Sequence, residues 1–307
     1  MQIFLSLLIR IIPLYILILL GFIASKKLNA KKETIASILI YIIVPVVTFN
    51  SVATIKLTPS VLLLPLIFFI CCSCMCLLFY RVGKSLFTDN TKNLLALAAG
   101  TANTGYFGVP VAIELFGEGI IGLMIISILG FTVFENSLGF FMIAKGNYTP
   151  REALTRLSKL PTIYAFLLGL LVNIVGINFS DAYLGFSKNF IGTYAIFGMM
   201  LIGMGLADMK SFKIDMKFLL STLIAKFLIW PLLVGALILI DKSFLNLFNA
   251  PIHKVMFLLS IVPLAANLVA FSTELKAQPE KASLAVFIST LIALVYIPLL
   301  TTLLLSY

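Results

Sequence analysis

Long apolar runs follow one another along almost the whole chain, and short polar segments separate them. About 20 apolar residues in a helix are enough to cross the hydrocarbon core of a bilayer. Runs of that length predict an all-α polytopic membrane protein with ten transmembrane helices and no soluble domain. Their approximate bounds are 3–25, 35–53, 60–80, 93–115, 120–144, 161–178, 190–207, 217–240, 254–273 and 282–306.

Composition supports this assignment, because 61% of the 307 residues are hydrophobic and only 11% are charged. Soluble domains average about 45–50% apolar and about 25% charged residues. The net charge of +10 indicates basic loops that face anionic lipid rather than a nucleic-acid surface. The first span has no basic leader and no obvious cleavage site, so we expect it to be retained as a helix.

Lys and Arg are distributed unevenly between the two sides of the predicted membrane. The loops after spans 1, 3, 5, 7 and 9 carry 16 of them, and the opposite side carries 5. Cytoplasmic loops are enriched in these residues. We therefore expect a plasma-membrane protein with both termini outside. Residues 145–160 form a cytoplasmic linker, either as an interfacial helix or as a plain loop.

The first five spans resemble the last five. Pro13 and Gly21 in span 1 have the same spacing as Pro161 and Gly169 in span 6. Because each copy has an odd number of spans, the second copy must be inverted relative to the first. Inverted repeats with interrupted helices are typical of secondary transporters. The predicted repeats cover residues 1–144 and 161–307.

Spans 4 and 9 each contain residues that break helices. Span 4 includes GTANTGYFGVP (Gly100–Pro110), and span 9 includes SIVPLAANLVAF (Ser260–Phe271). A break within a membrane creates a half-helix N-terminus with partial positive charge. If the two breaks meet, they form a small anion-binding site. The candidate substrate-binding residues are Asn103, Thr104, Gly105, Gly108, Pro110, Pro263, Ala266 and Asn267.

Within this site each residue type has an expected role. Asn103 and Asn267 offer amide groups to a ligand without the cost of a buried ion. Gly105 and Gly108 would let another backbone approach closely, and Pro110 would begin the outer half-helix. The alternative is that the proline kinks and the asparagines only support helix packing.

These residues carry a family resemblance over nearly the whole chain. GTANTGYFGVPVAIELFGEG resembles the fourth span of the auxin efflux carrier family, of the bile/arsenite/riboflavin transporter superfamily, which includes bacterial malonate and malate carriers. PLAANLVAFSTELKAQPEKASLAVFISTLIALVYIP resembles the family's ninth and tenth spans, and PLYILILLGFIASKKLN with LIYIIVPVVTF resembles the first two. The resemblance implies that helices 4 and 9 cross at the midplane. It also implies a scaffold of spans 1, 2, 6 and 7, against which a bundle of spans 3–5 and 8–10 moves like an elevator.

Two ionisable residues lie deep in apolar runs, Glu135 in span 5 and Lys226 in span 8. Both are nine residues from the predicted cytoplasmic end of their span, so they are expected at the same depth. Burying an isolated charge there costs much free energy, whereas burying a pair of opposite charges costs less. We therefore predict that they interact, either as a structural pair or with Glu135 as a proton or cation relay.

The pattern favours a secondary transporter of a small organic anion. Without arginine at either break, a monocarboxylate fits better than a di- or tricarboxylate, and the resemblance adds malonate-, malate- and auxin-like anions. No nucleotide motif is present, so no cofactor is predicted. Efflux could proceed by uniport, while uptake would need coupling to H⁺ or Na⁺. A homodimer is one oligomeric state that the sequence leaves open.

Other functions are less well supported. A receptor, sensor or channel could use the same fold. An intramembrane enzyme would need a catalytic set at depth, but no HExxH occurs and the one histidine, His253, is predicted in a loop. Cys71, Cys72, Cys74 and Cys76 crowd into span 3. Metal ligation needs thiolates, which hydrocarbon disfavours, so we predict apolar packing and no metal site.

Overall fold

A computed structural model of the chain describes residues 2–54, 59–208 and 214–304. It is all-helical, with 86% helix, and no strand occurs among these residues. Short loops or breaks separate thirteen helices. They are α1 Gln2–Leu28, α2 Lys32–Thr54, α3 Pro59–Leu86, α4 Thr91–Gly100, α5 Val109–Phe116, α6 Gly122–Ala144, α7 Pro150–Ser158, α8 Pro161–Val175, α9 Asp181–Ala207, α10 Met216–Leu245, α11 Ala250–Ile261, α12 Asn267–Glu274 and α13 Pro279–Leu304.

At least six of these helices, α2, α3, α6, α9, α10 and α13, are long and apolar enough to cross a membrane. The helices α7 and α8 meet at a bend of 47° and make a seventh candidate if they form one span. The predicted spans 4 and 9 coincide with two helix pairs, α4 with α5 and α11 with α12. The chain is thus a multi-pass membrane protein, and ten crossings stay a prediction.

The linker between the two halves contains a helix. Thr149 caps α7 by accepting from the backbone N–H of Glu152, and the Glu152 carboxylate accepts from the N–H of Thr149 in return. This reciprocal capping box is a standard helix start. Of the two forms considered for the linker, the helical one is present.

The single histidine does not lie in a loop. His253 is in the first turn of α11, and its Nε2 is 2.8 Å from Oδ2 of Asp241 at the end of α10. The sequence prediction was wrong because Asn249 caps α11 and starts the helix earlier than the apolar run suggested.

Several helix pairs pack with direct backbone contact at a glycine, and two of these pairs are formed by α1 with α9 and by α2 with α8. A Cβ atom on Gly21 of α1 would lie 2.0 Å from the carbonyl oxygen of Met200 in α9, and a Cβ on Gly203 of α9 would lie 1.8 Å from that of Ile18. In the second pair, a Cβ on Gly169 of α8 would lie 2.9 Å from the carbonyl oxygen of Phe49 in α2. Small residues at such crossings let membrane helices approach closely.

Three of the long helices contain four π-turns between them, and in each turn one extra residue widens the helix. These turns are Leu39–Ile43 in α2, Glu135–Gly139 in α6, Ala225–Ile229 in α10 and Asp241–Leu245 at the end of α10. A π-turn rotates everything beyond it about the helix axis, and such turns are frequent at functional sites. Two of them include the buried ionisable residues Glu135 and Lys226.

Polar contacts join the ends of several helices at the end of the molecule predicted to be cytoplasmic. Asp215 caps α10 by accepting from the N–H of Phe218, and its other oxygen is 2.8 Å from Nζ of Lys281 on α13. Partial burial acts to raise the pKa of Asp215, but the hydrogen bonds from Lys281 and from the backbone outweigh it, so this pKa lies below its ordinary value.

The α1–α9 contact generates the first prediction. Gly203→Ala should destabilise the protein by about 1–3 kcal/mol, because the added methyl group overlaps a backbone oxygen. Gly192→Ala, on the same helix, is the matched control, since a Cβ there meets nothing among the described atoms within 4 Å. Thermal melting of the purified variants measures the difference. Equal melting temperatures for the two variants would contradict the packing.

The Asp215–Lys281 pair generates a pH prediction. Because the folded-state pKa of Asp215 is lowered, the carboxylate stabilises the fold above its unfolded pKa, and that stability is lost as pH falls through the folded value. Asp215→Asn keeps a good capping residue and removes the charge. The variant should be less stable than the wild type by up to about 1 kcal/mol at neutral pH. This difference in stability should disappear as the pH falls below about 4.

Melting curves at several pH values test this prediction in two backgrounds. With Lys281→Gln present, Asp215→Asn should have a smaller effect at neutral pH. If the difference in stability between Asp215→Asn and the wild type stays constant down to acidic pH, the charge of Asp215 does not stabilise the fold.

Candidate functional site

The first break follows Gly100, where α4 ends. Thr101 is extended, and its side-chain hydroxyl donates to the carbonyl oxygen of Ala98. From the neighbouring helix α10, the indole N–H of Trp230 donates to the carbonyl oxygen of Ala99 at 2.6 Å. These contacts satisfy carbonyl groups that the interrupted helix leaves free, as a membrane interior requires.

The chain restarts at Asn103, whose side-chain oxygen accepts from the backbone N–H of Phe107. A π-turn, Thr104–Gly108, follows and leads directly into α5. Thr104 is buried. Pro110 lies in the first turn of α5, as expected for a half-helix start, and its ring falls outside the described side chains.

The second break separates α11 from α12. Val262 is extended, and the residues from Pro263 to Ala265 are not helical. The helix α12 begins at Asn267, and Ala266 directly precedes it. The N–H of Leu264 donates to the hydroxyl of Ser289 on α13. All residues of this break are buried, so protein groups must satisfy its backbone.

The two breaks touch each other. The backbone N–H of Asn103 donates to the carbonyl oxygen of Pro263 at 2.8 Å. The two half-helix starts, at Asn103 and Asn267, therefore belong to one small region. The aligned peptide dipoles of the two half-helices give this region partial positive charge.

Asn103 brings an unpartnered polar group to this region. Its side chain is only 3% exposed, and its Nδ2 atom has no hydrogen-bond partner among the described residues. A buried amide without a partner costs about 1–3 kcal/mol. A ligand that accepts a hydrogen bond from this N–H group would recover that cost.

Asn267 belongs to a polar cluster of three helices. Its Nδ2 donates to Oε2 of Glu135 on α6 at 2.7 Å, and its amide also contacts the hydroxyl of Tyr194 on α9. Both the Tyr194 hydroxyl and the Asn267 amide can donate and accept hydrogen bonds. This cluster links α12, α6 and α9 at one point.

The expected role of the glycines is not supported. A Cβ on Gly105 would meet nothing within 4 Å among the described atoms, and a Cβ on Gly108 would make only ordinary contacts of 3.5 Å, one of them with Val262. No backbone of the described residues approaches closely at either position, because the two breaks meet at Asn103 instead. Gly105 borders open space.

The predicted contact between Glu135 and Lys226 is also wrong. The Glu135 carboxylate faces Asn267, whereas Nζ of Lys226 has no hydrogen-bond partner among the described residues and lies 4.9 Å from the ring centre of Trp230. The sequence prediction compared only the depths of the two residues and left out the rotation of each helix about its axis. Both residues lie in π-turns, which change this rotation. Lys226 is stabilised by the indole face instead.

Sequence reasoning missed Tyr194. This residue lies in the middle of α9, a 27-residue helix. Tyrosines of membrane helices are enriched near the two interfaces, so a tyrosine at mid-helix was an available signal. Ser289, which satisfies the break at Leu264, gave no such signal because serine is common inside membrane helices.

The four cysteines are unpaired, and Cys71, Cys72 and Cys76 are buried. The described residues include no group of three or more His, Cys, Asp or Glu side chains that could hold a metal ion.

Comparison with known proteins identifies the family of the chain. The model of the family described as membrane transport protein matches residues 6–301. The chain belongs to this family, that of the auxin efflux carriers. It is therefore a membrane transporter, and the sequence resemblance is confirmed.

Two archaeal relatives are similar to the chain. An uncharacterized transporter of Methanocaldococcus jannaschii is 28% identical over 230 residues, which cover 70% of this chain and 74% of the relative. An uncharacterized transporter of Methanothermobacter thermautotrophicus is 24% identical over 303 residues, or 96% of this chain and 95% of the relative. Both relatives are named as transporters, and neither name states a substrate.

The Tyr194–Asn267 contact generates a testable prediction. Tyr194→Phe should lower stability by about 0.5–1.5 kcal/mol, the usual net contribution of one hydrogen bond. In an Asn267→Ala background the same substitution should have a smaller effect, because the hydrogen bond to Asn267 is already gone. Tyr164→Phe is the matched control: its hydroxyl bonds to the carbonyl oxygen of Ser158, so its effect should be the same in both backgrounds. Additive effects of Tyr194→Phe and Asn267→Ala would rule out the contact.

Proposed function

We propose that this family member is a secondary transporter of a small organic anion, which binds where the two broken helices meet. The main observation behind the proposal is that the buried Nδ2 atom of Asn103 has no partner among the described residues, beside the contact between Asn103 and Pro263. Asn103, Thr104, Gly105, Gly108, Pro110, Pro263, Ala266 and Asn267 are the proposed lining residues.

The charge of this region favours a small monoanion. The half-helix starts supply N–H groups and partial positive charge, which suit a carboxylate. Neither Gly100–Pro110 nor Ser260–Phe271 contains Lys or Arg, so a second negative charge would find no full counter-charge there. Monocarboxylates are therefore the preferred substrates, ahead of malonate-, malate- and auxin-like anions.

The proposal includes two inverted five-helix repeats. The inversion relates span 1 to span 6 and span 7 to span 2, so the α1–α9 contact and the α8–α2 contact are equivalent. Gly21 and Gly169 support this relation, because each packs against the backbone of the equivalent partner helix. Residues 1–144 and 161–307 are then the two copies, with both termini outside the cell.

The proposed transport mechanism is an elevator. The tight glycine contacts join α1 to α9 and α2 to α8, which suits a rigid scaffold of these four helices. Polar side-chain contacts join this scaffold to the remaining helices: Ser37 and Tyr41 of α2 donate to Glu274 at the end of α12, and Tyr194 contacts Asn267. Such contacts exchange more easily than interlocked backbones when one body slides past another.

A ligand screen tests the proposed site. Small carboxylates such as lactate, malonate and malate are added to purified protein, and the melting temperature is measured. A ligand that binds the folded state at 100 times its Kd stabilises it by about 2.7 kcal/mol. We expect one or more monocarboxylates to raise the melting temperature, and Asn103→Ala to abolish that rise.

Asn173→Ala is the control for this screen. Asn173 is a partly buried asparagine whose side chain donates to the backbone of α2, away from the breaks. Its variant should melt at a lower temperature but keep the full ligand-induced rise. If Asn103→Ala keeps that rise undiminished, the proposed site is wrong.

A further inference from the structure

The carboxyl group of Glu135 is the one feature of the cluster that an anion site does not explain. Glu135 is 4% exposed and is the first residue of the π-turn in α6. The described residues place no cationic nitrogen within 4.0 Å of it. An ionised carboxylate without a counter-charge at this depth is costly, and it would repel an anion at the neighbouring Asn267.

We propose that Glu135 binds the proton that moves with the substrate. In this scheme the protein binds one proton on the Glu135 carboxylate and one organic anion at the breaks, and both cross together. The inference rests on the proposed function, because it names the coupling ion of the same site.

The hydrogen-bond pattern suits both protonation states of Glu135. With the carboxylate, Nδ2 of Asn267 donates to Oε2, as observed at 2.7 Å. With the protonated acid, rotation of the amide by half a turn would place Oδ1 toward Glu135 to accept the new O–H group. Tyr194 serves either orientation, because its hydroxyl donates to Oδ1 or accepts from Nδ2. Proton uptake therefore leaves no member of this cluster without a partner.

Competition for Asn267 links the proton to the substrate. While Glu135 is ionised, it holds the amide N–H of Asn267, and its charge opposes an anion. Protonation removes the negative charge and releases the N–H group that Glu135 held, while the other N–H group of Nδ2 donates to Tyr194. An anion that binds better to the protonated form must in turn favour proton binding, because such coupling is reciprocal.

Other titratable groups face Glu135 from the helices around it. Cys72 of α3 lies close enough to interact electrostatically with both Glu135 and Lys226 of α10. Tyr194 comes from α9. The helices α4 and α8 also pack against this π-turn, and they contribute Lys92, near one end of α4, and Tyr164, whose hydroxyl is bonded to Ser158. In the described part of the chain, Cys72, Lys92 and Tyr164 make no hydrogen bond or ion pair to the Glu135 carboxylate.

Infrared difference spectroscopy tests the proton site without any substrate. Full-length protein in liposomes is compared between acidic and alkaline pH. We expect the carbonyl band of a buried protonated carboxylic acid to disappear at alkaline pH. Glu135→Gln should remove this band, and Glu33→Gln, a change at an exposed glutamate, should keep it. A wild type without the band, or a Glu135→Gln variant that retains it, overturns the proposal.

The pH profile of binding tests the coupling. Lactate has an ordinary carboxyl pKa, so its charge is constant between about pH 6 and pH 8. Its affinity for the wild type should fall with rising pH, approaching tenfold per unit, the slope for one proton. Glu135→Gln imitates the protonated acid and should flatten this profile, while Glu33→Gln should keep it. Equal slopes in the wild type and in Glu135→Gln overturn the proposal.

The two experiments separate this inference from the proposed function. If lactate and malonate fail to bind at any pH, the anion proposal fails for these classes, and the infrared band alone decides whether Glu135 binds a proton. If lactate binds with no pH dependence, the anion site stands and proton coupling is wrong.

Discussion

A membrane interior offers no water to backbone groups, and this constraint shapes the centre of the molecule. Where α4 and α11 stop, N–H and C=O groups lose their helical partners, and each free group would cost several kcal/mol in hydrocarbon. The structure satisfies them within the protein: Asn103 donates to Pro263, Trp230 to Ala99, and Leu264 to Ser289. Each break thus depends on the other and on the helices around it, which explains why they lie together.

The same constraint identifies the site. Among the buried polar atoms without a partner in the described residues, the Nδ2 atom of Asn103 is the one that lies at the contact between the two breaks. Asn267, by contrast, shares its amide between a carboxyl group and a phenol. Two asparagines in similar sequence contexts therefore differ in what they offer to a ligand. One has a free donor, and the other has a donor that depends on the state of Glu135.

Several elements could be predicted from particular residues. Pro263 and the run from Gly100 to Pro110 indicated broken helices, and the helices do break there. The polar segment before Pro161 indicated a linker, which contains α7. The contact of Glu135 with Lys226 was predicted wrongly, because apolar run lengths give depth along a helix axis but not rotation about it. The π-turns at Glu135 and Ala225 changed that rotation.

The sequence alone determined the class of protein, because hydrophobicity, run length and helix-breaking residues act locally and are read along the chain. It also located the two interruptions and the asparagines beside them. The tertiary structure decided which groups meet: it joined Asn103 to Pro263, directed Glu135 to Asn267, and brought Tyr194 of α9 to them. These contacts depend on how helices distant in the chain rotate and pack against one another, and no local pattern encodes that.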